Sequence, residues 1–445
     1  MRFIHTSDWH LGQYFYGKSR ASEHQKFLSW LIDQVKAQQV DAIIVAGDIF
    51  DTSTPPSYAR EMYFSFIAQI QLLDCQLIIL AGNHDSVAML SESKSLLASL
   101  STRVITHVSL MANEDGEDNK ESSEQGNENR ISEDVFPLTD KKGKALAVIC
   151  AIPFIRPRDV IKSQAGQSAT DKQKSLQQAI TTHYQQLYDQ AKQLADSLKK
   201  EQGNTLPIIA TGHLTALGVS MTDVNNESVR DIYIGTLEAF PSNAFPPADY
   251  IALGHIHRAQ KVGKTEHIRY CGSPIALSFD EAKQDKKVLL VNFEQGQLDN
   301  VIELMVPCFQ PLVMVKTSLE NLTADIEQVA NDLTEKLKPE QQVWLDIEIE
   351  NSSHLSDLSQ RVSDLVTDLP LEVLLVRRSK KARQLMQKSS KATNSTLSEL
   401  SLTDVFDSRL SELEWKSEEE IARKQRLTLL FNETVEQIKH EDKNS

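Results

Sequence analysis

The sequence predicts an α/β protein whose helices cover buried sheets, followed by a smaller βαβαβ unit. Three observations predict it. Through roughly the first 300 residues, short aliphatic runs recur, each closed by Gly, Asp, Asn or His. Amphipathic helical patterns separate the early runs, which is the alternation of an α/β fold. Beyond Pro311 the order strand, helix, strand, helix, strand repeats in compact form.

The elements follow in order. Apolar runs lie at 2–5, 42–46, 76–80, 145–151, 207–210, 250–253, 268–271 and 287–293. Continuous apolar runs of about four to eight residues are strands buried on both faces. Helical spacing appears at 23–38, with Phe27, Leu28, Leu31, Ile32 and Val35 on one side, and again at 57–73 and 87–100. A long polar helix is expected over 170–202, ended by Gly203. In the second unit, strands are expected at 312–316, 343–349 and 371–376, with helices at 322–337 and 356–369. The basic segment RRSKKARQLMQKSSK at 377–391 holds seven bases and no acid. Two amphipathic helices follow, at 401–411 and 417–440, without an obvious core of their own, and so are expected to dock a partner. The expected divisions are 1–305, a capping unit at 306–378, a basic linker at 379–400 and a helical partner-binding segment at 401–445.

A chain of 445 residues with 40% hydrophobic content can bury two or three cores. No apolar run approaches the roughly 20 residues that span a bilayer, and MRFIHTSDWH starts as a strand and not as a signal peptide. A cytoplasmic protein with no membrane role is expected. Cys75, Cys150, Cys271 and Cys308 are far apart in apolar surroundings, as expected of buried reduced thiols. The net charge of -15 excludes a globally basic nucleic-acid coat. The stretch 111–134, with nine acids against two bases, supplies about half of that excess and is expected to be a flexible insertion.

Five segments place metal-compatible side chains after strand ends: Ser7-Asp8-Trp9-His10, Gly47-Asp48-Ile49-Phe50-Asp51, Gly82-Asn83-His84-Asp85, Gly212-His213 and Gly254-His255-Ile256-His257. Each alone reads as a turn. In an α/β sheet, however, the carboxyl ends of neighbouring strands share one edge, so distant segments can converge there. Five of the twelve histidines sit in these segments. Carboxylate and amide oxygens mixed with imidazoles suit borderline divalent ions such as manganese. Asp8, His10, Asp48, Asn83, His213, His255 and His257 are too many ligands for one ion but suit two ions sharing a carboxylate. Such a pair, about 4 Å apart, activates water and holds the oxygens of a phosphate ester. The glycines at 47, 82, 212 and 254 are expected to let backbone pass close to the metals.

This series resembles the calcineurin-like metallophosphoesterase superfamily, and MRFIHTSDWHLG, GDIFD and AGNHD resemble its SbcD family, the nuclease subunits of bacterial SbcCD complexes. The motifs span residues 8 to 257. The resemblance implies a two-sheet α/β sandwich with a small capping domain and C-terminal helices. It also implies one manganese on Asp8, His10, Asp48 and His257, and a second on Asp48, Asn83, His213 and His255, with magnesium as a possible substitute. His84 is implied as the catalytic, phosphate-contacting histidine; an imidazole titrating near neutrality can stabilise charge or protonate a leaving oxygen. Asp51 and Asp85 are expected to orient neighbouring imidazoles, with a cap on the helix that begins at Val87 as the alternative for Asp85.

The resemblance further implies a DNA exonuclease and endonuclease of repair, recombination and replication, acting as a dimer with an SbcC-type ATPase in a heterotetramer. ATP is expected to bind the partner and not this chain. A phosphoprotein phosphatase would carry Arg-Gly where this chain reads Thr52-Ser53. The alternative is a phosphodiesterase or phosphatase for a small phosphoester, and a non-enzymatic metal-stabilised scaffold is the other reading. Candidate DNA contacts are Arg156, Arg158, Arg258, Lys261 and the basic stretch from Arg377.

Overall fold

The computed structural model describes residues 1–108, 131–160, 168–216, 240–334, 341–350 and 358–379, with the isolated positions 337, 406, 409, 410, 427 and 431. Most of the acidic stretch, the basic linker beyond Ser379 and most of the terminal helical segment lie outside the described residues. The chain forms two compact units, Met1–Ile349 with Ser353–Arg377, and Glu350–Ser352 with Arg378–Ser445. The first unit carries the features below.

Two six-stranded sheets face each other. The first runs, edge to edge, Gln297–Met305, Lys287–Glu294, Arg2–Thr6, Ala42–Ala46, Gln76–Leu80 and Thr102–Ile105. The last four are mutually parallel, and the first two add on antiparallel. The second sheet runs Gln260–Lys261, Ile268–Tyr270, Tyr250–Gly254, Ile208–His213, Ala145–Cys150 and Val135–Thr139, again with a parallel centre and antiparallel edges.

Side-chain alternation along the strands builds four layers. Ala42, Ile44 and Ala46 face inward against Ile149, Ile209 and Ala252 of the second sheet. Ile43 and Val45 face outward against Phe27, Leu31 and Phe66 of the helices Ala21–Gln38 and Ser57–Gln71. On the far side, Val148, Ala210 and Leu253 pack under Tyr184, Leu187 and Ala191 of the helix Ala169–Gln202. That helix stops at Gly203, in the left-handed region at φ 76°, whose N–H bonds the Lys199 carbonyl. The protein is a two-sheet α/β sandwich.

The small unit is a three-stranded sheet, Leu312–Thr317, Val343–Ile349 and Leu371–Arg378, with the helices Leu322–Thr334 and Leu358–Val366. It has its own apolar cluster around Ile326, Leu345 and Ile347. A second cluster joins it to the sandwich: Phe15 and Phe279 pack with Leu312 and Trp344, the Phe15 and Trp344 rings stacked at 5.8 Å.

Some expectations change. The helix expected over 87–100 is two short ones, Val87–Glu92 and Lys94–Ala98, broken at Ser93. Ser91, Ser93, Ser95 and Ser99 crowd this segment, and serine hydroxyls compete for helical backbone groups. The strands Val135–Thr139 and Gln297–Met305 are edge strands without a plain apolar run, one interrupted by Pro137 and the other largely exposed. Three cysteines are buried and free, but Cys308 is exposed, because it follows an edge strand in the connection to the small sheet. Among the described residues no helix is long and apolar enough to cross a membrane.

Candidate metal centre

The parallel strands of both sheets end at one place. Arg2–Thr6 leads into Asp8 and His10, Ala42–Ala46 into Asp48, and Gln76–Leu80 into Asn83 and His84. From the second sheet come His213, the last residue of its strand, and His255 and His257 beyond Gly254. Four of these residues have left-handed backbones: Asp8 at φ 53°, His10 at 48°, Asp48 at 49° and His255 at 93°. Each such backbone costs about 1 to 3 kcal/mol and persists only where surrounding structure over-determines it.

The restraint is visible. Asp8 and His10 donate backbone N–H bonds to the Gly47 and Asp48 carbonyls at 3.0 and 3.1 Å, and Leu11 continues the zipper to Ile49 at 2.9 Å. Between Asp8 and His10, Trp9 is fully buried edge-on to Phe27 and Phe66. The His24 imidazole hydrogen-bonds the Trp9 carbonyl at 3.0 Å. Burial, with Arg20 adding to it, lowers the His24 pKa to about 3, so it does so as a neutral ring. Asp8 also accepts the His255 N–H at 3.0 Å, tying the second sheet to the first.

All seven candidate ligands meet here. Ligand atoms of Asp8, His10 and His257 lie within 4.8 Å of one another, as do those of Asp8, Asp48 and His213. Asn83 Oδ1 is 3.0 Å from His213 Nε2 and 3.0 Å from His255 Nδ1. His213 donates Nδ1–H to the Ala46 carbonyl at 2.8 Å, which leaves Nε2 beside Asp48 Oδ2 at 3.2 Å. Among the described residues, His10 Nε2, His257 Nε2 and Asp48 Oδ2 are buried and find no hydrogen-bond partner. Orphaned buried polar atoms are costly, and here a cation would satisfy donors of both types. The residues therefore fit divalent metal.

The surroundings sort the remaining candidates. His84 donates its backbone N–H to Asp48 Oδ1 at 2.9 Å, and its Nδ1 lies 2.9 Å from the Asp51 carbonyl, leaving Nε2 for other chemistry. Burial lowers its pKa, but Asp48 and the Asp51 carbonyl outweigh this, so the net shift is upward. The Asp51 carboxylate lies 3.2 Å from His10 Nδ1, close but not aligned as a hydrogen bond. Asp85 accepts the backbone N–H groups of Gly82, Ile49 and Phe50 at 2.8, 3.1 and 3.0 Å. It thus staples two metal-bearing loops and orients backbone, not an imidazole; the helix cap beside it is Ser86, which accepts from Met89. Gly82 and Gly47 act as expected, since a side chain at either would enter the Asp48 carboxylate or the His213 ring. Gly212 does not, because the group it clears is the Tyr184 hydroxyl beneath the helix.

His10, His84 and His257 line a cleft of about 330 Å³, whose far wall includes Met314, Asp346 and Arg377 of the small sheet. Sequence reading missed this wall. It also missed Glu281, whose carboxylate lies 3.3 Å from His257 Nδ1, and Lys286, which pairs with Glu281. Neither sits in a recognisable motif. Burial would raise the Glu281 pKa, but Lys286 and His257 hold it far below the usual carboxylate range. Of the candidate DNA contacts, Arg156 bonds the Asp85 carbonyl at 3.2 Å, Arg377 pairs with Asp346 at 2.8 Å, and Lys261 pairs with Glu266.

One pH dependence follows. Burial lowers the His213 pKa, yet Asp48 and Asp8 overcome this and raise it to about 9. Below that pH the ring carries a proton on the nitrogen needed for ligation. Metal binding must release it, so affinity should rise with pH up to about 9, by up to tenfold per unit, and fall on acidification. Manganese titrations by calorimetry in buffers of different ionisation enthalpy should show proton release near neutral pH; equal heats in all buffers would contradict it.

The calcineurin-like phosphoesterase family model matches residues 1–259. The model described as type 5 capsule protein repressor C-terminal domain matches residues 308–413. The SbcD subunit of the nuclease SbcCD from Escherichia coli K12 is 48% identical over 435 residues, covering 98% of each chain. The protein of the same name from Rhodobacter capsulatus is 32% identical over 69% of this chain and 70% of its own. That from Bacillus subtilis is 30% identical over 80% and 81%.

Proposed function

The chain belongs to the calcineurin-like phosphoesterase family and, within it, to the SbcD family of SbcCD nuclease subunits, and on that premise we propose that it is a manganese-dependent DNA nuclease acting with an SbcC-type ATPase. Its chemistry is metal-dependent phosphodiester hydrolysis. The observation that carries this reading is the set of orphaned buried atoms on His10, His257 and Asp48 beside His84 at the wall of one cleft.

Bound divalent ions supply a water activated at neutral pH and a clamp on phosphate oxygens. Asp8, His10, Asp48 and His257 would hold one ion; Asp48, Asn83, His213 and His255 would hold the other, with Asp48 shared. The chain's own residues do the rest. His84, its Nδ1 engaged by the Asp51 carbonyl, presents Nε2 to the substrate as the proton donor to the leaving oxygen, a role that its upward-shifted pKa favours. Asp85 keeps the loops of Asp48 and Asn83 in register, and the small sheet shapes the opposite wall of the cleft.

The cellular setting is DNA repair, recombination and replication in the cytoplasm, as a dimer of this chain within a heterotetramer. The ATPase is read as docking on residues 401–445. Deleting them should abolish its capture in a pull-down while manganese-dependent hydrolysis of a small phosphodiester stays within about twofold; retained capture would move the contact elsewhere.

The deciding experiment incubates the protein, with and without ATPase and ATP, with manganese or magnesium and end-labelled linear or hairpin DNA. Exonucleolytic shortening of duplex ends and endonucleolytic opening of hairpins are expected. Inert DNA alongside turnover of a small phosphoester would select the alternative, a metabolite phosphodiesterase.

A further inference from the structure

Glu281 is 2% exposed and has a partner on each side of its carboxylate. Oε2 accepts from Leu277 N at 3.1 Å, Ser273 Oγ at 3.2 Å and Lys286 Nζ at 2.5 Å. Oε1 instead lies 3.3 Å from His257 Nδ1. The ion pair with Lys286 is complete without that second oxygen, so the aim of Oε1 at the imidazole needs its own explanation.

His257 is held at its backbone as well. Lys286 Nζ donates to the His257 carbonyl at 3.1 Å, and Ser273 N donates to it at 3.1 Å. With Nδ1–H given to Glu281, the lone pair of the neutral ring resides on Nε2. That atom is buried and has no hydrogen-bond partner among the described residues. The ring stands edge-on to His10 at 5.3 Å, and the two share a ligand cluster with Asp8. A carboxylate behind a ligating imidazole fixes both its tautomer and its direction. The turn Phe279–Glu281 that carries the carboxylate is itself pinned, since Phe279 packs on Phe15 at 5.0 Å and against the cluster with Trp344.

We infer that Glu281 is the positioning residue for His257, setting the Nε2 lone pair toward the metal cluster, with Lys286 balancing its charge and gripping the same histidine's backbone. This rests on the metal reading of the site. The role is directional, which separates it from a structural ion pair that happens to lie nearby.

The test is a double-mutant cycle on manganese affinity in the full chain, read from the spectroscopic signal of free manganese, with no activity measurement. Glu281→Ala should weaken binding by about 10- to 100-fold at one of two ions. In a His257→Ala background the same substitution should change affinity less than about twofold, because the group it acts through is gone. An equal loss in both backgrounds, or wild-type affinity in Glu281→Ala, would overturn the assignment. Should the Ala variant fail to fold, Glu281→Gln keeps the shape and an acceptor, and is expected to show a smaller loss that again vanishes in the His257→Ala background. A wild-type chain that binds no manganese removes the metal reading itself, together with the role built on it.

Discussion

Asp48→Asn should lose manganese at both ions and with it hydrolysis of DNA and of small phosphodiesters. Asp48 is fully buried; its Oδ2 has no hydrogen-bond partner among the described residues and lies 3.2 Å from His213 Nε2 and 3.7 Å from His10 Nε2. Burial alone would favour its neutral form, but His213, His84 and His10 hold its pKa well below the usual carboxylate range. It is the anion around which the site is organised. Asparagine keeps the size and can still accept the His84 N–H, so the loop is retained while the charge is removed. Removing a shared ligand should exceed the roughly 10- to 100-fold losses typical of outer groups. Calorimetric titration with manganese, alongside circular dichroism to verify folding, checks it. Two ions bound at wild-type affinity would exclude Asp48 as the bridge.

His84→Gln should do the opposite to binding and the same to turnover. His84 lies in the cleft wall with its ring 4.8 Å from His10 and its Nδ1 on the Asp51 carbonyl. Glutamine can donate to the same carbonyl but cannot cycle a proton near neutrality. Manganese affinity is therefore expected to stay within a few fold, while hydrolysis falls by about 10²- to 10⁴-fold, the range for a positioned acid or base. Unchanged turnover of a model phosphodiester would take His84 out of the mechanism. The two substitutions together separate holding the ions from using them.

The convergence of the candidate ligands was legible in the sequence because each candidate sits within a few residues of a strand end that an apolar run announces. Asp8, Asp48, Asn83 and His255 each follow such a run, and the parallel arrangement brings those ends to one edge. The same local logic fails for Asp85. Next to a helix start it reads as a cap or a partner of His84, and only the fold brings the backbone N–H groups of Ile49 and Phe50 to its carboxylate. Gly212 misleads similarly, since its neighbour His213 faces the centre while the glycine itself faces Tyr184.

What the sequence determined by itself is the α/β sandwich, the convergence of seven candidate ligands and the small three-stranded unit, because periodicity and strand-end motifs are short-range signals. Tertiary structure alone decided which atoms lack partners, that Glu281 and Lys286 stand behind His257, and that Arg377 and Asp346 wall the cleft. These placements bring together residues far apart along the chain: His257 meets Glu281, and His84 and Arg377 line one cleft. No local spacing encodes them; they exist only once packed layers bring the chain back on itself.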